Sequence, residues 1–126
     1  IAGAYNGHKG AASTFSPIEM YNLRLKKGAK TQLTFPENYT TALVMVEGDA
    51  KVNGDTEAPQ DHFVMFSNDG DTFTVEALSD TIILVLSGEP IKEPIAAHGP
   101  FVMNTQEELI EAFQDFNTGK FGYLED

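Results

Sequence analysis

The feature that most constrains this chain is a change of period. Up to Ser87 apolar and polar residues alternate in short runs broken by turn chemistry, whereas after Thr105 apolar residues recur every three or four positions. Alternation at every second residue places one face of a strand in a core, and repetition at three and four does the same for a helix. Tyr21, Leu23 and Leu25 alternate with Asn22 and Arg24; after Gly28, Thr31, Leu33 and Phe35 alternate as far as Pro36. Segment 40–47 carries aliphatic residues on both faces, as a central strand does. Segment 50–52 then runs into Asn53-Gly54, a pair that tolerates the positive φ of a type I′ hairpin turn. Further strands are predicted at 62–67, 73–78 and 81–87, separated by Asn68-Asp69-Gly70-Asp71 and Ser79-Asp80. Strands this short and this closely spaced predict a mainly β fold, an antiparallel sandwich or barrel. Its interior is expected to be filled by side chains such as Phe63, Phe66 and Phe73.

The second period belongs to one amphipathic helix, predicted at 106–117. Leu109, Ile110, Phe113 and Phe116 form one face, and Glu107, Glu108, Glu111 and Asp115 the other. Thr105 with Glu108 spells a capping box, in which each side chain satisfies the other residue's free backbone N–H, and Gly119 suits the helix C-terminus. Residues 1–17, with Gly3, Gly7, Gly10 and Pro17, are expected to be an irregular linker or lead-in. The chain opens on Ile1 rather than Met, which reads as a fragment or processed product. The expected organisation is therefore a lead-in at 1–17, a β-sandwich at 18–104, and a helix and tail at 105–122 packed on the same domain.

Composition narrows the functions. With 126 residues the chain can bury a core unaided, and with no cysteine it has no disulfide, thiolate metal site or cysteine nucleophile. A reducing, cytoplasmic setting is the expectation. Eight basic residues against 19 acidic give a net charge of −11, which argues against a phosphate-driven nucleic-acid surface. Arg24, Lys26, Lys27 and Lys30 cluster, but as a solvated strand end and loop. The unbroken aliphatic runs 42–46 and 82–86 are far shorter than a membrane span.

Chemistry-bearing patterns are sparse. His8, His62 and His98 are the three histidines, and none stands two or four residues from another, so no local metal pair exists. A site built from His62 with Glu47 or Glu76 is geometrically open. The acidic stretch 68–71 lacks the alternating ligands of a calcium loop and reads as a turn. Asn38-Tyr39-Thr40 matches a glycosylation triplet, a pattern common by chance. Nucleophile elbow, phosphate loop and dinucleotide fingerprint are all missing. Pro90, Pro94 and Pro100 stiffen an extended arm leading off the last strand, and Gly99 relieves the backbone beside a buried Phe101.

Gly88-Glu89-Pro90, Glu93-Pro94, Gly99-Pro100-Phe101-Val102-Met103-Asn104-Thr105, Glu107-Glu108, Ala112, Asp115 and Gly119-Lys120-Phe121-Gly122, with Ala2-Gly3, Gly7 and Ser16-Pro17-Ile18, carry a resemblance. Over essentially its whole length the chain resembles the C-terminal domain of the pirin family, within the cupin superfamily. The resemblance implies a cupin-type antiparallel β-sandwich, or jelly roll, with one C-terminal helix. It also implies a second, N-terminal cupin domain, in which three histidines and a glutamate hold a metal, usually iron, beginning with a His-x-His pair. This chain has no such pair, so no catalytic, cofactor-binding or metal-ligating residue is carried over. Gly88, Pro90, Pro94, Gly99, Pro100, Phe101, Asn104, Thr105, Gly119 and Phe121 are carried over as structural motif positions. Some pirins resemble quercetin 2,3-dioxygenases, and animal pirin is a nuclear iron-binding transcription co-regulator. The expected role is thus the metal-free half supporting an iron-binding domain; the alternatives are a protein-interaction module or a small-ligand cupin. The expected partner is the N-terminal cupin domain of the same protein. A face normally covered by it would lead the isolated chain to pair with a copy of itself, as a homodimer or domain swap.

Overall fold

A computed structural model describes residues 1–125. It divides into two compact units, Ile1–Pro90 and a second from Ile91 onward. In chain order the first unit contains β1 (Ala4–Tyr5), β2 (His8–Lys9), β3 (Ile18–Leu25), β4 (Lys30–Thr34), β5 (Thr40–Glu47), β6 (Ala50–Val52), β7 (Thr56–Ala58), β8 (Phe63–Met65), β9 (Thr72–Ala77) and β10 (Thr81–Gly88). The second contains β11 (Ala96–His98), β12 (Phe101–Met103) and α1 (Gln106–Asn117).

Two four-stranded antiparallel sheets form the first unit, one ordered β3-β10-β5-β8 and the other β4-β9-β6-β7. Their inner faces supply the core, with Leu43, Met45, Val75, Ile83 and Val85 fully buried. Leu33, Phe35, Val52 and Phe73 complete it. Asn53 and Gly54 take φ values of 52° and 75° and turn the chain from β6 into β7. A bulge at Ile82/Ile83 interrupts the pairing of β10 with β5, and Thr41 and Ser87, opposite one another on these strands, share a buried hydrogen bond of 2.7 Å.

Within the lead-in at 1–17, two short strands form where an irregular segment is expected. Asn6 and Gly7, at φ 47° and 80°, close a tight hairpin between β1 and β2. Ala2 is buried and exchanges two backbone hydrogen bonds with Met20. Glu19 Oε2 accepts from Ala4 N–H at 2.9 Å, and Tyr21 Oη donates to Ala4 O at 2.7 Å. The segment is held by the sheet edge it precedes.

In the second unit the stiff arm is a hairpin. His98 pairs with Phe101 across Gly99-Pro100, with Gly99 at φ 56°. Helix α1 occupies the expected span. Its cap Thr105 Oγ1 accepts from Glu108 N–H at 3.2 Å. The Glu108 carboxylate accepts from the Thr105 hydroxyl at 3.0 Å, instead of taking the Thr105 N–H as a capping box would. No helix among the described residues is long and apolar enough to cross a membrane.

Candidate functional site

The two sheets differ on their outer faces. On β4-β9-β6-β7 the outward residues are Lys30, Gln32, Thr34, Thr72, Thr74, Glu76, Lys51 and Glu57, a polar surface with a Lys30–Glu76 ion pair at 3.7 Å. Outward residues of β3-β10-β5-β8 are mostly apolar. Register aligns Met20, Leu86, Ala42 and Met65 in one row, and Asn22, Leu84, Val44 and Phe63 in the next. Phe63 and Met65 are 57% and 65% exposed, while Leu84 and Leu86 are half-buried. A strand apolar on both faces, as β10 is at Ile82 to Leu86, belongs in a sheet covered on both sides. This outer face is the candidate interaction surface.

Phe63, expected inside, is therefore on the outside. Side chains two apart share a face, so Phe63 goes with Met65, while Val64 and Phe66 turn inward to the core. Phe66 stacks on Phe73 at 4.3 Å, and Phe73, Phe35 and Tyr21 continue the series at 6.2 and 5.9 Å. These rings fill the space between the sheets. Two openings reach these core side chains, one of about 70 Å³ beside Phe35, Tyr39, Thr41 and Phe66 and one of about 170 Å³ beside Tyr21, Leu33 and Val85, both below the roughly 300–1,000 Å³ of a small-molecule site.

A metal finds no donor set there. The buried polar side chains are Thr41, Thr81 and Ser87, which are hydroxyls. Among the described residues no group of three or more His, Asp or Glu is placed to hold an ion. His62 is exposed, its Nδ1 3.1 Å from Gln60 O. Glu76 lies on the other sheet against Lys30, so the His62–Glu47–Glu76 grouping is not assembled. The basic cluster is partly neutralised: Lys26 lies 3.8 Å from Asp80, whose other oxygen accepts from Lys27 N–H.

The motif positions from Gly88 onward fall at the end of β10 and in the second unit. Gly88 lies between Ile18 and Thr40 at the end of β10, and Pro90 closes the first unit. Pro94 O accepts from Asn104 Nδ2 at 2.9 Å. Phe101 is half-buried rather than buried, and meets Phe113, Phe116 and Phe121 at 4.9, 6.2 and 5.9 Å. A Cβ on Gly99 would approach Phe113 Cζ to 3.4 Å, so Gly99 serves the hairpin turn and this packing. Gly119, at φ 77°, ends the helix, its N–H donating to Phe116 O at 3.1 Å. Together these residues fold one hairpin against one helix.

A family model described as the pirin C-terminal cupin domain matches residues 20–122. The chain belongs to the pirin family. Among solved structures it is similar to a quercetin 2,3-dioxygenase of Acinetobacter baumannii, with a TM-score of 0.88 and 45% identity over 98% of this chain and 43% of that one. A Pseudomonas aeruginosa protein provisionally named a quercetin 2,3-dioxygenase is 40% identical over 96% of the chain and 42% of its own length. Human pirin is 32% identical over 98% of the chain and 44% of its own length. The pirin domain described here thus spans less than half the length of these relatives.

Proposed function

We propose that this domain is the metal-free, supporting half of a two-domain pirin-like protein. A separate N-terminal cupin domain holds the iron and carries quercetin 2,3-dioxygenase-type chemistry. One observation carries the reading: the space between the sheets is packed with aromatic and aliphatic side chains whose polar neighbours are hydroxyls, while the apolar surface lies on the outside of β3-β10-β5-β8. The domain's work is then to dock. Its outer sheet face covers, and is covered by, the iron-binding half. The names of its bacterial relatives support the oxygenase assignment of the whole protein.

The test is iron stoichiometry after equilibration with ferrous iron and removal of the excess. The chain is expected to retain none, while the N-terminal half of the Acinetobacter baumannii enzyme retains one ion and, joined to this domain, consumes quercetin. Stoichiometric retention by the 126-residue chain, lost in His62→Ala, would overturn the proposal.

A further inference from the structure

Strand β3 stands at the edge of its sheet, with β10 on one side. On the other side it is partnered at one point among the described residues. Ala2 N–H donates to Met20 O at 3.2 Å and Met20 N–H to Ala2 O at 3.0 Å, an antiparallel bridge. Successive strand residues direct their backbone groups to opposite sides, so Asn22 and Arg24 share the direction of Met20 and point theirs away from β10. Both residues are exposed. Next to this free stretch lies an apolar recess of about 170 Å³, lined by Ile1, Tyr5, Tyr21, Leu23, Leu33 and Val85 among others. Leu33 and Val85 are core residues, so an unpaired strand edge coincides with an opening onto the core. Natural sheets pair or cover such edges.

We propose that residues 22–25 of β3 form a strand-docking site for an extended, alternately apolar segment joined to Ile1 and running antiparallel to β3. The Ala2–Met20 bridge sets its register, with Ile1 opposite Tyr21. The first residue ahead of Ile1 stands opposite Asn22, the second opposite Leu23, the third opposite Arg24 and the fourth opposite Leu25. Tyr21, Leu23 and Leu25 face the core, so the second and fourth residues point inward and the second closes the recess; both must be apolar. The first and third point outward, and the third, beside Arg24, is best acidic. The docked segment completes a fifth strand. A second copy fits less well, because each chain carries a net charge of −11 and the free edge offers only these four residues.

Amide hydrogen exchange read by NMR tests this in three forms: the 126-residue chain, the chain with Val-Glu-Val-Thr ahead of Ile1, and the chain with Gly-Ser-Gly-Ser there. The Asn22 and Arg24 amides are expected to exchange about tenfold or more slowly only in the Val-Glu-Val-Thr form. Asn22→Pro removes an N–H that points away from β10, so the melting temperature of the unextended chain should hold. In the extended form the same change should abolish protection at Arg24. Equal exchange in all three forms, equal protection by Gly-Ser-Gly-Ser, or protection in the unextended chain accompanied by a doubled mass would each overturn the proposal.

Discussion

At the residue scale, Tyr21 links the lead-in to the core. Its ring stands 5.3 Å from Tyr5 and 5.9 Å from Phe35, and its single hydroxyl proton has two acceptors within reach, Ala4 O and Glu19 Oε2. Burial, and then the hydrogen bond to Glu19 and the charge of its carboxylate, raise the Tyr21 pKa well above the usual tyrosine value. A raised folded-state pKa means that the folded protein keeps its proton where the unfolded chain has lost it. The stabilisation is therefore full below about pH 10 and falls as pH rises beyond it. Thermal melts should show the wild type losing stability above that pH more steeply than Tyr21→Phe; parallel curves would remove Tyr21 as the cause. Phe101 is the second residue of this kind. Complete burial of its ring would give Phe101→Ala a cost of roughly 3–5 kcal/mol. As it is half-buried, the expected cost is about 2 kcal/mol, read as a lowered melting temperature. An unchanged one would show that the aromatic cluster of the second unit carries no stability.

At the element scale, β10 separates what was legible in the sequence from what was not. Its unbroken aliphatic run identified a strand and gave β10 apolar residues on both faces, but nothing local says what lies against the outer one. Leu84→Lys on that face should leave the unfolding free energy within about 1 kcal/mol of wild type, since the side chain is half-exposed. Ile83→Lys, one residue away and fully buried, should unfold the domain. Equal damage from both would place Leu84 in the core. Helix α1 was legible end to end because its period, cap and terminal glycine agree. The β1–β2 hairpin was missed although Asn6-Gly7 is a strong turn signal, since strands of two residues are too short to show alternation. The β11–β12 hairpin was hidden likewise by its proline-rich surroundings. Phe63 was misplaced for a simpler reason: Phe63 and Phe66 are three apart and take opposite faces of an extended chain, so both could not be core.

At the scale of the whole molecule, both units show surfaces that call for more protein. The second is a two-strand hairpin and one helix, below the size of about 40 residues at which a core sustains itself. It leaves Ile110, Phe116 and Phe121 exposed. In the first, one sheet has a polar outer face and the other an apolar one. The relatives it matches are more than twice as long as this chain. The candidate site is therefore a surface, the apolar outer face of β3-β10-β5-β8, and the described residues assemble no metal-ligand group of three or more His, Asp or Glu.

The most direct test of that account is a binding titration of the 126-residue chain against the separately produced, iron-loaded N-terminal half of the Acinetobacter baumannii enzyme. Saturable one-to-one association is expected, abolished by Leu84→Lys and left intact by Gln32→Lys on the polar sheet. Absence of association, or association indifferent to Leu84→Lys, would contradict it.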